Sequence, residues 1–109
     1  MAALELARTL NWQPDILHAN DWHTALSVYA LRHKYGSDAF FKQTHPVLPI
    51  HNLPFMGAGT EAAFDDFDLP PSQYPYLPWW ARRQPLPLGL QTAERIVAVS
   101  PTYAREILT

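Results

Sequence analysis

The hydrophobic positions of the 109-residue chain follow helical spacing in two stretches of its first third. Leu4, Ala7 and Leu10 share one face of a helix, which predicts a helix over residues 2–12. A longer pattern of the same period runs up to a glycine, a residue that commonly ends a helix, and predicts a second helix over residues 22–35. The second pattern is the strongest helical signal in the chain.

Three short apolar runs predict β-strands at residues 15–19, 46–51 and 96–99. The first run is compact enough for a buried strand. Pro49 lies within the second run and favours an edge position or a bulge, because proline cannot donate to a sheet ladder. After the third run, Ser100 and Pro101 predict a last helix, with serine as its cap and proline as its first residue.

Proline divides the chain into parts. Nine of the eleven prolines lie between Pro46 and Pro87, and residues 52–90 show no sustained period apart from a predicted short helix near residues 79–83. A segment of this length without regular structure is either functional or loosely ordered. We therefore expect a single partial domain with a βα core, a proline-rich insertion, and a final strand and helix, at residues 1–51, 52–90 and 91–109.

The order of the predicted elements indicates the fold class. Helix, strand, helix, strand, long segment, strand and helix is the alternation of an α/β protein with a parallel sheet and right-handed crossovers. Three parallel strands make a thin sheet, so we expect the chain to be a piece of a larger structure. In such sheets, ligands bind beyond the carboxyl ends of the strands.

Composition and charge exclude several classes of function. The chain is 48% hydrophobic and 17% charged, as globular proteins are, and its net charge of −2 predicts no nucleic-acid partner. Cysteine is absent, which excludes disulfides and thiolate sites. No apolar run reaches the length of a membrane span and no signal peptide is visible, so we expect a cytoplasmic protein without a membrane partner.

Polar side chains follow two of the predicted strands, at the edge where ligands collect. His18, Asp21 and His23 follow the first strand, and His51 and Asn52 follow the second. The spacing of the first three matches no strong zinc pattern, so we expect no metal. A structural alternative makes Asp21 a helix cap, His18 a core residue and His23 a residue near the helix start.

The proline-rich segment also carries a cluster of aromatic side chains. Trp79 and Trp80 lie close in sequence to Tyr74 and Tyr76. Such flat apolar rings could stack on the pyranose rings of a glucan, or they could fill space beneath a long loop. Both interpretations stay open from the sequence.

Three segments together resemble the bacterial glycogen and starch synthases. Residues 14–26 read PDILHANDWHTAL and are similar to that family's strand and helix PDIVHAHDWHT. Residues 50–53, IHNL, resemble its HNL strand end, and residues 93–107, AERIVAVSPTYAREI, resemble its segment around VSPTYA. The three occur in family order and cover 32 of the 109 positions, and the first and last are specific.

This resemblance implies part of the N-terminal, Rossmann-like α/β/α domain of a GT-B glucosyltransferase. Such an enzyme lengthens an α-1,4-glucan with retention, uses ADP-glucose, and needs no metal or other cofactor. By position, His23 corresponds to the histidine of the family's DWH motif, which lies beside the donor glucose. Its side chain would hold a sugar hydroxyl, and its carbonyl would face the positive charge developing at the anomeric carbon. Asp21, Trp22, His51 and Asn52 would line the same cleft and orient the substrate.

Departures from the family limit this expectation. The Lys-x-Gly-Gly-Leu donor loop and the second domain are not in the sequence, and PFMG stands at residues 54–57 where AYQG is usual. One side of a cleft cannot position donor and acceptor together, so we expect no glucosyl transfer by these residues alone. The alternatives are a non-catalytic glucan-binding module that uses Trp79 and Trp80, or a structural fragment that forms homo-oligomers through exposed sheet edges.

Overall fold

The computed structural model describes residues 1–109 and contains five α-helices and three β-strands. In chain order these elements are α1 (Ala2–Thr9), β1 (Ile16–His18), α2 (Asp21–His33), β2 (His45–Ile50), α3 (Ala62–Asp66), α4 (Pro85–Thr92), β3 (Arg95–Ala98) and α5 (Pro101–Ile107). Two single-turn 3₁₀ helices lie in the connections, at Ala39–Phe41 and Trp79–Ala81. No helix is of a length and hydrophobicity that would let it cross a membrane.

The three strands form one parallel sheet in the order β1-β2-β3. β1 pairs with β2 from His45 to Val47, and β3 pairs with β2 from Val47 to Ile50. The two outer strands are therefore staggered along the central one. This architecture confirms the predicted α/β class, a partial Rossmann-like domain with a short parallel sheet.

β2 is the central strand although it contains Pro46 and Pro49, so the edge position or bulge predicted from Pro49 is wrong. Successive residues of a strand direct their hydrogen-bonding groups to opposite neighbours. The Pro46 carbonyl accepts the N–H of Glu94 at 3.0 Å on the β3 side, and the Val47 carbonyl accepts that of Ala19 at 2.9 Å on the β1 side. Pro46 faces β3 and has no backbone N–H, but β3 begins only opposite Val47, the next residue. Pro49 faces β1 and also has no N–H, but β1 has already ended opposite Val47. Neither ladder loses a bond.

α2 and α4 pack against each other and against β2. Ala25 and Val28 of α2, Leu48 of β2 and Leu86 of α4 are completely buried in one cluster. Gly89 permits this close approach, because a Cβ at that position would lie 2.8 Å from the Ala25 Cβ. The start of α2 is thus held firmly over the sheet.

A larger cluster connects α1 to the proline-rich segment and includes Leu4, Tyr29, Phe64 and Leu88. One side chain of α2 and that of Lys34, the residue after it, also bind the backbone of that segment. The Tyr29 hydroxyl donates to the Pro70 carbonyl at 2.6 Å, and Lys34 Nζ donates to the Phe67 carbonyl at 2.9 Å. These bonds anchor the middle of the chain to the α/β core.

Residues 52–90 contain more regular structure than their sequence pattern predicts. They include α3 and most of α4, and α4 crosses the boundary placed at residue 90. α4 shows no amphipathic period because six of its eight residues are buried. Its two prolines, Pro85 and Pro87, lie in the first turn, where backbone N–H groups have no helical acceptor in any case.

Both edges of the sheet are open. Ile16 is 59% exposed, so the prediction of a buried first strand is wrong; β1 is an edge strand with no neighbour on its outer side. On the opposite edge, Ile96 and Val97 are each about half exposed. α1 ends at Thr9, three residues before its predicted end. The short helix predicted near residues 79–83 is a 3₁₀ turn.

Candidate functional site

The residues that follow β1 and β2 meet at the carboxyl edge of the sheet. The Asp21 carboxylate accepts the backbone N–H of His51 at 2.7 Å and that of Asn52 at 3.1 Å. One side chain at the start of α2 therefore holds the backbone that leaves β2. Adjacent parallel strands predict such a juxtaposition, because their carboxyl ends face the same crevice.

Asp21 reaches these N–H groups from an uncommon backbone conformation. Its φ of 58° lies in the left-handed region, which costs most residues about 1–2 kcal/mol but is tolerated better by aspartate. The structural alternative in which Asp21 caps α2 is wrong, because the N-cap residue is Asn20 and no side chain accepts a helix N–H there. The carboxylate binds the next strand end instead.

A second polar connection crosses the two strand ends. His51 Nε2 donates to Asn20 Oδ1 at 3.1 Å, and Asn20 Nδ2 donates to His18 Nδ1 at 3.5 Å. His18 is exposed, so the alternative in which it is a core residue is wrong. No group of three or more histidine or acidic side chains is arranged to hold a metal ion.

His23 lies in the first turn of α2 and stacks on Trp22. The ring centroids are 4.1 Å apart, and the ring planes meet at 29°. His23 is exposed, so its imidazole is accessible to a ligand. The structure thus joins Asp21 to His51 and Asn52 directly, whereas the ring contact of His23 is with Trp22.

Trp22 lines two neighbouring cavities. A cavity of about 370 Å³ is lined by His18, Trp22, His23 and Thr60 together with apolar side chains. A smaller cavity of about 190 Å³ is lined by Trp22 and residues 54–58. The larger volume is within the range of small-molecule sites.

The loop that follows β2 is also held from α5. The Tyr103 hydroxyl accepts the N–H of Leu53 at 2.7 Å. The predicted cap of this helix is confirmed, because Ser100 Oγ accepts the N–H of Tyr103 at 3.0 Å. Sequence reasoning missed Tyr103 as a part of this edge. The available signal was that it lies within a few residues of the carboxyl end of β3.

The aromatic residues of the proline-rich segment remain accessible. Trp80 and Tyr74 line an apolar groove of about 500 Å³ above α4. Trp79 is 84% exposed and lies outside this groove. Tyr76 is equally exposed and meets Tyr74 edge-on, with centroids 5.5 Å apart and planes at 66°. A ligand can reach all four rings, although the two tyrosines do not share a plane.

Comparison with known proteins gives consistent matches along the whole chain. Residues 1–109 match a family described as the starch synthase catalytic domain. The glycogen synthases of Vibrio parahaemolyticus serotype O3:K6 (strain RIMD 2210633) and Vibrio vulnificus (strain YJ016) are each 42% identical to it, and each alignment includes 99% of the chain. The glycogen synthase of Geotalea daltonii (strain DSM 22248 / JCM 15807 / FRC-32) is 37% identical over 97% of the chain. The chain spans 22–23% of the length of these curated relatives.

Proposed function

The chain belongs to the starch synthase catalytic domain family, and from that membership we propose that it forms one side of the donor cleft of an ADP-glucose-dependent glycogen synthase with a GT-B fold. In this reaction the bond between C1 of glucose and the diphosphate breaks, and ADP leaves. C1 then bonds to the oxygen of the 4-hydroxyl at the non-reducing end of an α-1,4-glucan, with retained configuration, and the hydroxyl proton passes to the departing ADP. We place this reaction in the cytoplasm, without a metal or other cofactor.

The observation that carries the proposal is the contact of Asp21 with the end of β2. Its carboxylate fixes the backbone of His51 and Asn52, and these residues stand at the crevice where α/β sheets bind ligands. A fixed set of hydrogen-bonding groups at that edge suits a hexose, whose hydroxyls need donors and acceptors in defined positions. Asp21, His51 and Asn52 are proposed to orient the donor in this way.

His23 is proposed as the residue next to the reacting carbon. Its exposed imidazole can accept or donate a hydrogen bond to a glucose hydroxyl, and its carbonyl can face the positive charge that develops at C1. A dipole that is already oriented stabilises the transition state more than the ground state. The stack with Trp22 limits the orientations of the imidazole, which suits this role.

The 109 residues alone are proposed to be inactive. They correspond to 23% of the length of the Vibrio parahaemolyticus relative. Catalysis in a cleft between two domains needs donor and acceptor to be held together, and this positioning supplies much of the rate enhancement. One side of the cleft cannot provide it.

A chimera tests the proposal. Residues 1–109 replace the matching segment of the Vibrio parahaemolyticus glycogen synthase, and transfer of labelled glucose from ADP-glucose to glycogen is measured. We expect an active chimera, and a loss of about 100-fold or more in kcat for His23→Ala. The matched control is His45→Ala, because His45 lies at the amino end of β2, away from the candidate site. An active chimera in which His23→Ala and His45→Ala behave alike would refute the role of His23. The isolated chain should incorporate no label above its own His23→Ala variant.

A second candidate function is non-catalytic glucan binding. It is favoured by the exposure of Trp79 and by the apolar groove that Trp80 lines. Electrophoresis in glycogen-containing gels measures such binding as retardation. We expect Trp79→Ala and Trp80→Ala to abolish it and Trp12→Ala, which removes another exposed tryptophan, to leave it unchanged. Absence of retardation in the unmodified chain would reject this function.

A further inference from the structure

Gly57 lies in the loop after β2 and contacts two larger residues through its backbone. It is buried and has a φ of 92°, a conformation that L side chains rarely adopt. A Cβ at this position would lie 2.7 Å from Pro85 Cδ and 3.1 Å from Trp22 Cε3. The missing side chain is therefore what allows the loop, the start of α4 and the start of α2 to meet at one point.

The surroundings of Gly57 are fixed by hydrogen bonds on both sides. The N–H of Leu86, the second residue of α4, donates to the Met56 carbonyl at 3.1 Å. On the other side, Thr60 Oγ1 donates to the Gly57 carbonyl at 2.5 Å. Pro85, the first residue of α4, is buried. Because neighbouring atoms surround its ring, the ring has no free space into which it could move away from an added methyl group. Any adjustment would fall on the loop or on Trp22.

The indole that contacts Gly57 also carries the imidazole of His23. The two rings stack at 4.1 Å, as adjacent residues in the first turn of α2. A displacement of the indole changes the surface against which His23 rests. The position of Gly57 is thus transmitted to His23 through a single side chain.

We propose that Gly57 is a positioning residue: together with Pro85 it fixes the Trp22 indole, and through the indole it sets the orientation of the His23 imidazole. The importance of this orientation for glucosyl transfer rests on the proposed function. The structural coupling itself does not depend on any activity.

Proton NMR of the isolated chain tests the coupling through the ring current of Trp22. In the unmodified protein, at a pH where the imidazole is neutral, the His23 ring protons should be shifted upfield of those in an unstructured histidine peptide. Gly57→Ala should remove most of that upfield shift. Gly59→Ala is the matched control, because Gly59 has a similar φ of 86° but a Cβ there would meet nothing within 4 Å. The Gly59→Ala variant should retain the upfield shift, although its left-handed backbone conformation costs alanine a similar amount of stability.

A second variant decides the outcome if Gly57→Ala fails to fold. In Gly57→Ala combined with Pro85→Ala, the contacts with the proline ring are gone and Trp22 is the remaining close neighbour. We expect this folded double variant to lose the upfield shift as well. Retention of the full shift in either folded variant would overturn the proposal. Because the measurement needs no substrate, this failure would be distinct from a failure of the chimera to transfer glucose.

Discussion

The left-handed backbone conformation of Asp21 predicts which of two variants, Asp21→Gly or Asp21→Ala, is the more stable. In an ordinary first helical turn, glycine is less stable than alanine by up to about 1 kcal/mol. Asp21 has a φ of 58°, where alanine carries a steric cost of about 1–2 kcal/mol that glycine does not carry. We therefore expect Asp21→Gly to be more stable than Asp21→Ala by about 1 kcal/mol, the reverse of the usual order.

Both variants also lose the bonds to His51 and Asn52. These N–H groups belong to exposed residues, so water replaces the lost carboxylate and the pair is worth only about 1–2 kcal/mol. Asp21→Asn retains one acceptor oxygen and should lose less, about 0.5 kcal/mol. The expected order of stability is unmodified protein, Asp21→Asn, Asp21→Gly and Asp21→Ala.

Asp68 provides a matched comparison. Its φ is 54°, and its exposed side chain makes no hydrogen bond of the kind that Asp21 makes. Asp68→Gly should therefore be at least as stable as the unmodified protein, whereas Asp21→Gly should be less stable. The difference between the two glycine variants measures the contribution of the bonds to His51 and Asn52.

Urea denaturation of each variant gives the free energy of unfolding, and a change of 1 kcal/mol corresponds to about 4–8 °C in melting temperature for a domain near this size. If Asp21→Ala is as stable as Asp21→Gly or more stable, the left-handed conformation does not exist in solution. If Asp21→Gly is as stable as Asp68→Gly, the carboxylate does not hold the end of β2. Either result would remove the observation on which the proposed site is built.

Three further predictions concern other parts of the molecule. Gly89→Ala should destabilise the protein by about 1–3 kcal/mol in urea denaturation, because its Cβ would lie 2.8 Å from that of Ala25, whereas the same change in an exposed helix would stabilise. Burial and the hydrogen bond to Glu5 raise the pKa of Tyr35 from 10 to about 12. Stability should therefore fall as pH rises from 10 to 12, because the unfolded chain loses this proton first, and Tyr35→Phe should remove that part of the fall. Concentration-dependent light scattering should detect self-association through the open sheet edges, and Val97→Lys should weaken it; a monomer at every concentration would contradict this.

The fold was predictable where one face of an element is apolar and the other polar. α1 shows this contrast, because Leu4 and Ala7 are its only buried residues. α2 is buried on several faces, and its predicted range of residues 22–35 is within two residues of the observed one because a glycine follows it at residue 36. α4 is also buried around the helix, at residues such as Leu86 and Leu88, and neither a period nor a closing glycine marks it. The position of Pro49 in the central strand depends on where β1 ends, and that is a property of the pairing rather than of β2 itself.

The composition of the candidate site was predictable, but its connections were not. Strand ends in sequence indicated which residues gather at one edge, including Asp21 and His51. The bond from Asp21 to the next strand depends on a left-handed φ, and no short sequence pattern specifies that angle for aspartate. The role of Gly57 depends on Pro85, which is 28 residues further along the chain and belongs to a helix that the pattern did not predict.

The two prolines of β2 also restrict how the sheet can misalign. A slip of two residues leaves every side chain on its original face, so burial alone does not oppose it. If β1 slid two residues forward along β2, its Leu17 carbonyl would need an N–H from Pro49; if β3 slid two residues back, its Arg95 carbonyl would need one from Pro46. Neither donor exists. Each proline therefore opposes a slip of one outer strand in one direction, and Pro49 in this way helps to keep the strand ends that carry Asp21 and His51 level with each other.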